Sequence, residues 1–347
     1  MSRFENIKVA VAMATCNTDP QMLSQAIESV LNQTHKNLVF YIVNDSGNNI
    51  TQIKKISDKR IFVIEHDEKL GLAQSMNEIL DIAKEKYVFR MDADDISLPN
   101  RIEQQIEYME ENKCVDIASM FCEKIGSDRG LLYMMWSKPN DIKSLLLFTN
   151  TFIHSSVVFR NEFLQKKRMR YNPEFQAAQD YDMWNRCSEI ANMSIIPSVG
   201  ILYRVHDKQI SSTRNNIQKQ FVNVVRKANL KKMGQDEENF KYLEMLVENS
   251  LISDFNLFSD NIVKILNANR KCSLYNQKSL FNVISFFYLR SCLNTHNILN
   301  AIKLGKETRK MLFNPNNILV LLTKIKIHYL LNRSLRQFGC AEKKNKI

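Results

Sequence analysis

Three carboxylates, Asp92, Asp94 and Asp95, fall within four residues, directly after the stretch Tyr87-Val88-Phe89-Arg90-Met91. Like charges packed that closely repel unless a cation or solvent takes up the charge. Asp92 and Asp94 are two apart, so a turn that bends back brings both onto one hard cation. Mg²⁺ and Mn²⁺ suit carboxylate oxygens and leave positions open for phosphate oxygens. The plainer alternative is a solvated acidic loop ahead of a helix that starts at Pro99. The stretch before the carboxylates is apolar and aromatic, with Arg90 its only charge, and predicts a mostly buried strand.

The elements that position these groups run in order along the chain. Residues 8–14 (KVAVAMA) predict a first strand that ends in Thr15-Cys16-Asn17. Asp19-Pro20 then opens a helix, with proline near the first helical position. Residues 38–43 (LVFYIV) predict a second strand, ending in Asn44-Asp45-Ser46-Gly47. A short helix over 50–56, a strand over 61–65 and a helix over 71–83 follow. The fourth strand is the one before Asp92, and the helix from Pro99 carries Ile102, Ile106 and Met109. Strand–helix alternation with short links predicts an α/β fold with a central, mostly parallel sheet. In such sheets ligands bind beyond the carboxyl ends of the strands. Thr15, Asn17, Asp45 and the Asp92/Asp94 pair all stand just past strand ends, so one rim is expected to hold them. Gly47 and Gly71 belong to the same rim, as turns or as points of close ligand approach.

From about residue 114 the pattern is less regular. It predicts a strand over 115–122, a hairpin or sheet extension over 131–136 and a helix over 141–148. A strand with a polar start follows over 154–160, then a helix over 178–190 and short strands at 194–196 and 200–205. Strand signals stop after Ser211. The expected organisation is a domain over 1–214 and a helical, basic region over 215–347.

A length of 347 residues against about 150 per domain agrees with two units. Seven scattered cysteines without metal-ligand spacing point to free thiols in a reducing compartment. The first residues lack a signal-peptide apolar core, and no apolar run reaches the roughly 18 residues of a membrane span. A cytoplasmic location is therefore expected. Charge is uneven: residues 1–214 hold 26 Lys+Arg against 28 Asp+Glu, and residues 215–347 hold 22 against 9. From residue 262 onward the balance is 16 to 2, interleaved with the apolar runs 284–289 and 318–322 and followed by Lys324, Lys326, Arg333 and Arg336. Such a tail fits either an anionic membrane surface, which would make the protein peripheral on the inner face of the cell membrane, or a helical bundle with a solvated basic face.

Several motifs in order resemble family 2 glycosyltransferases of the GT-A fold, of the kind that build bacterial surface polysaccharide such as capsule or O-antigen. They are Met13-Ala14-Thr15-Cys16-Asn17, Val43-Asn44-Asp45-Ser46-Gly47, Leu70-Gly71-Leu72-Ala73 with Asn77, and Met91-Asp92-Ala93-Asp94-Asp95 followed by Pro99, Arg101 and Gln105. Gln179-Asp180-Tyr181-Asp182-Met183-Trp184 and Tyr203-Arg204-Val205-His206 complete the set, with Gln179 where the family usually has Glu and Cys16 where Tyr is common. The resemblance covers the chain to about residue 210; the remainder resembles nothing nameable.

The resemblance implies inverting transfer of a sugar, from a nucleotide sugar expected to carry UDP, to a hydroxyl of a glycan or lipid-linked acceptor. It implies Mn²⁺ or Mg²⁺ at Asp94, completed by His206, which could instead merely end a strand. Thr15, Asn17, Asp45, Asp92, Ala93 and Arg101 would hold the nucleotide sugar, although Arg101 also fits a solvated helix face. Asp180 would be the base, or else a helix N-cap. His154 and Trp184 would lie on the acceptor side, or else pack. Two other classes compete. A nucleic-acid binder would use the basic tail but has an acidic rim and no nucleic-acid motif, so no nucleic acid is expected. A nucleotidyltransferase would need a basic, Gly-rich phosphate loop, which is absent near Thr15. A catalytically silent scaffold is disfavoured by the carboxylates present.

Overall fold

The structure, a computed structural model, describes residues 3–47, 50–133, 136–207, 209, 215–248, 254–294, 310 and 314. The chain divides into two compact units, Met1–Ala228 and Asn229–Ile347. The division falls inside a helix that begins at residue 215.

In the first unit, strands β1 (Val9–Thr15), β2 (Leu38–Asp45), β3 (Ile61–His66) and β4 (Tyr87–Arg90) lie parallel, in the order β3-β2-β1-β4. Their side chains alternate between two apolar layers. Val9, Val11 and Met13 face the layer that holds α1 (Pro20–Leu31) and α4 (Arg101–Glu111). Ala10 and Ala12 face the layer that holds α3 (Leu72–Ile82) and α7 (Gln179–Cys187). A strand covered on both faces reads as a continuous apolar run, which is what residues 8–14 show. Asp19 caps α1, accepting from the amides of Gln21 (2.9 Å) and Met22 (3.2 Å), with Pro20 at the first turn. Gly71 enters α3 at φ 91°, a left-handed conformation that glycine adopts without steric cost.

β4 is where the parallel half ends. Its far neighbour β8 (Val158–Arg160) runs antiparallel, followed by β6 (Ile117–Gly126), β9 (Met193–Val205) and β5 (Ile96–Ser97). β7 (Gly130–Leu132) pairs with β6 as the expected sheet extension. The helices α2 (Ile50–Lys55), α5 (Pro139–Leu145) and α6 (Asn161–Lys166) complete this unit with α8 (Asn215–Lys232).

Two expectations change here. Residues 154–156 form a 3₁₀ turn and not the start of a strand. The Ser156 hydroxyl donates to the Ile153 carbonyl at 2.8 Å and accepts from the Met120 amide, offering the backbone a local alternative to the ladder. The two short strands near 194 and 200 are one strand, β9, with register shifts opposite Met120 and Phe121. Pro197, exposed, sits in that irregularity, where its missing N–H costs nothing.

The second unit contains α9 (Glu237–Glu248), α10 (Phe255–Cys272) and α11 (Gln277–Asn294). Phe258 stacks on Tyr288 at 5.9 Å, and the Tyr288 hydroxyl bonds Ser259 at 2.8 Å. Within the run 284–289, Ile284, Phe286, Phe287 and Tyr288 are buried, so this run is bundle core and not a face open to lipid. The run 318–322, the cations after it and Ser211 lie outside the described residues. No helix among the described residues is long and apolar enough to cross a membrane.

Candidate functional site

Because β1, β2 and β4 are parallel neighbours, Thr15, Asp45 and Asp92 emerge at one edge of the sheet, as the sequence predicts. Thr15 is buried, and its hydroxyl donates to Thr18 Oγ1 at 2.9 Å. Asn17 turns the chain at φ 56°. A Cβ on Gly47 would stand 2.7 Å from the Asn17 nitrogen, so the loops after β1 and β2 touch only because residue 47 is glycine. Asp45 is buried and takes three bonds: the amides of Leu70 (2.8 Å) and Gly71 (2.9 Å), and His66 Nδ1 (3.0 Å). Burial works against its charge, but these bonds win and hold Asp45 below the ordinary carboxylate range. Asp45 thus fixes the turn into α3, and its remaining acceptor capacity is small.

The acidic motif places one oxygen from each of Asp92, Asp94 and Asp95 within 4.8 Å of the others. Ala93 between them is buried in the core, which turns its two neighbours outward. Asp92 pairs with Arg90, a fully buried guanidinium. Burial pushes the Asp92 carboxyl up against the pull of Arg90. Asp95 is also fully buried; its Oδ1 accepts from the Arg204 amide at 2.8 Å. Burial, then the charges of Asp92 and Asp94, push it well above the usual range. Asp94 is half-buried, and His206 Nε2 lies 3.1 Å from its Oδ2. Arg204 binds the Asp94 carbonyl through Nε at 2.7 Å, tying the end of β9 to the motif. A hard, all-oxygen cluster with one imidazole beside it fits a small divalent cation.

Asp180 stands in the first turn of α7, behind Ala178 at φ 57°. Its Oδ1 accepts from the Tyr181 amide at 2.8 Å, but the N-cap of α7 is Ala178, without a side-chain cap bond, so Asp180 is not the N-cap that the sequence also allowed. Its Oδ2 accepts from Asn150 at 2.6 Å. Burial pushes Asp180 up, and its charge in turn raises Asp92. Base candidate and acidic motif therefore share one electrostatic site, with Arg90 acting on both. Asp182 is engaged elsewhere, in an ion pair with Arg186 at 2.7 Å.

Two expected site residues, Arg101 and Trp184, are placed differently, and a third, His154, is held by a neighbour. Arg101 is neither on a solvated face nor free to reach a diphosphate. Its guanidinium is 1% exposed and bonds Gln105 Oε1 (2.9 Å) and the Arg90 carbonyl (2.8 Å). Gly200 makes room for it, since a Cβ there would press on Met120 and Arg101. Burial lowers its pKa to about 9. Trp184 is 0% exposed, packed against Phe152 and Phe159, and cannot stack on a sugar. His154 does reach the site, but its Nε2 is bonded to the Tyr171 hydroxyl at 2.7 Å. Burial, then Arg90, push His154 well below its ordinary value, so it is neutral.

The sequence reading missed Arg90, Asn150 and Tyr171. Arg90 had a signal: a lone charge inside a buried strand needs a partner. Asn150 and Tyr171 lie in irregular segments with no periodicity to mark them.

Comparison with known proteins agrees with this geometry. The profile described as "Glycosyl transferase family 2" matches residues 10–168. The chain is 34% identical over 224 residues to an uncharacterized glycosyltransferase of Methanocaldococcus jannaschii, covering 61% of this chain and 75% of that protein. It is 27% identical over 234 residues to the Escherichia coli UDP-Glc:alpha-D-GlcNAc-diphosphoundecaprenol beta-1,3-glucosyltransferase WfaP, covering 66% of this chain and 86% of the relative. The crystal structure of S. aureus TarS 1-349 with UDP-GlcNAc superposes with a TM-score of 0.56 at 12% identity, over 86% of this chain and 92% of that one. At that identity the likeness shows the fold alone, which is GT-A as expected.

Proposed function

The chain belongs to glycosyltransferase family 2, and from that premise we propose inverting transfer of a sugar from a UDP-sugar to a hydroxyl of a lipid-linked glycan in surface-polysaccharide synthesis. The observation that supports this reading is the carboxylate cluster of Asp92, Asp94 and Asp95, with Asp92 ion-paired to buried Arg90, whose charge also acts on Asp180. The likeness to a UDP-glucose enzyme acting on a diphosphoundecaprenol acceptor supports the donor and acceptor classes.

Thr15, Asn17 and Asp45 line the nucleoside end, with Asp92 on the ribose or the metal. Asp94 and His206 would hold Mg²⁺ or Mn²⁺, which supplies Lewis-acid compensation for charge on the departing diphosphate. The acceptor oxygen forms its bond to the anomeric carbon as the bond from that carbon to the β-phosphate oxygen breaks. Asp180 takes the acceptor proton from the face opposite the leaving group, which inverts the centre. Burial raises its proton affinity, which favours its taking the acceptor proton. His154, neutral and held by Tyr171, serves the acceptor side through hydrogen bonding. Residues 1–214 carry this chemistry.

The test is UDP release from a panel of UDP-sugars with Mn²⁺ or Mg²⁺, with and without lipid-linked glycan acceptors. Release that requires one sugar and one acceptor is expected. No release from any UDP-sugar would overturn the donor assignment.

A further inference from the structure

Asn150 lies in the segment that links α5 to the 3₁₀ turn at His154–Ser156. Its Nδ2 donates to Asp180 Oδ2 at 2.6 Å. Its own Oδ1 accepts from the Phe152 amide at 3.2 Å, so the plane of the side-chain amide is held and its N–H end is turned to the carboxylate. Phe152 is itself anchored, buried with its ring 5.6 Å from that of Trp184. The support for Asn150 therefore comes through the core cluster around Phe152, in which Trp184 of α7 takes part.

We propose that Asn150 is a positioning residue for the Asp180 base, fixing which lone pair of the carboxylate is turned to the acceptor hydroxyl. This rests on the reading of Asp180 as the base. With the Tyr181 amide on Oδ1 and Asn150 on Oδ2, both oxygens are pinned and the carboxylate cannot rotate. An amide donor also favours the charged form and cannot take the proton itself. The other groups that face Asp180 are Arg90 from β4, Asp92 after it, and Tyr171 ahead of α7. Burial pushes Asp180 up, and the Tyr181 amide and Asn150 work against that push. An aspartate at 150 would replace the donor with a second carboxylate at the same place, and two carboxylates sharing a site hold a proton to higher pH.

The experiment is the pH dependence of kcat and of kcat/KM for the acceptor in the wild type, N150D, N150A and D180N, with UDP affinity measured by calorimetry. N150D should move the acid limb up by about one pH unit or more. N150A should lower kcat by about 10- to 100-fold with a smaller upward move. Both should bind UDP like the wild type. If N150D fails to bind UDP, N150A decides the matter in the same way. A wild-type acid limb and kcat in the Asn150 variants overturn the proposal. D180N separates the two readings: wild-type turnover in D180N removes the base and this inference together, whereas lost turnover in D180N with unaffected Asn150 variants removes only the inference.

Discussion

His206 Nε2 lies 3.1 Å from Asp94 Oδ2, although 112 positions separate the two residues in the chain. The contact is built by pairing β5 with β9, in the register Ile96↔Leu202, and by the Arg204 bonds to Asp95 and to the Asp94 carbonyl. Strand pairing thus carries the imidazole that follows β9 back to the acidic motif.

If Asp94 and His206 share a cation, their variants should differ in degree. D94A should nearly abolish transfer, and so should EDTA added to the unmodified protein. H206A should raise the Mn²⁺ concentration for half-maximal activity by about 10- to 100-fold. Transfer rates titrated against Mn²⁺ check this, and an unchanged titration in H206A would remove the imidazole from the metal shell.

Asp180 and Asp182 are two positions apart and make opposite predictions. D180N, nearly isosteric, should cut turnover by about 10²- to 10⁴-fold while leaving UDP affinity intact. D182N should leave turnover near the wild-type value, because Asp182 is tied to Arg186 and Arg186 to the Arg170 carbonyl. Single-turnover measurements on both variants decide which carboxylate takes the proton.

Arg101 should report on stability and not on the donor. Arg101→Met leaves the Arg90 carbonyl and Gln105 Oε1 without their donor, and an unmade buried bond costs about 1–3 kcal/mol. The thermal midpoint should fall while the KM for the donor stays unchanged. A raised donor KM at an unchanged midpoint would restore Arg101 to the diphosphate.

The rim itself was legible because a parallel sheet leaves a strong trace: apolar runs, each ending in Thr15, Asp45 or Asp92. What periodicity cannot show is which way a polar side chain turns. Arg101 shares a helix face with Gln105, and only the gap left by Gly200 allows its guanidinium inward. Trp184 fell on the packing side of an ambiguity stated from sequence alone. Residues 154–156 read as strand because Val157, Val158 and Phe159 follow them; the Ser156 hydroxyl bends them into a turn by a bond that no pattern encodes. Asn150 meets Asp180 across an irregular link, beyond the reach of any spacing rule.

The Asp45 clamp on the turn into α3 should respond to rising pH through His66. Its Nδ1 lies 3.0 Å from Asp45 Oδ1 and its Nε2 2.7 Å from Glu78 Oε2. Only the imidazolium carries N–H on both nitrogens, so two carboxylate partners require the charged ring. Burial opposes that charge, but the bonds to Asp45 and Glu78 win and raise the His66 pKa. A raised folded-state pKa means a stabilisation that is full below the unfolded value of about 6.5 and lost as pH rises through the folded value. Asp45 runs the other way: its lowered pKa stabilises above about 3.9 and is lost as pH falls through its own folded value. Between those limits the clamp on the Leu70–Gly71 turn is intact. The difference in thermal midpoint between wild type and H66Q should therefore be largest below about pH 6.5 and shrink as pH rises above it. Taking the difference cancels other titrations common to both proteins. A difference that stays constant as pH rises would mean the ring is not an imidazolium, and the link from His66 through Asp45 to the Leu70–Gly71 turn would be lost.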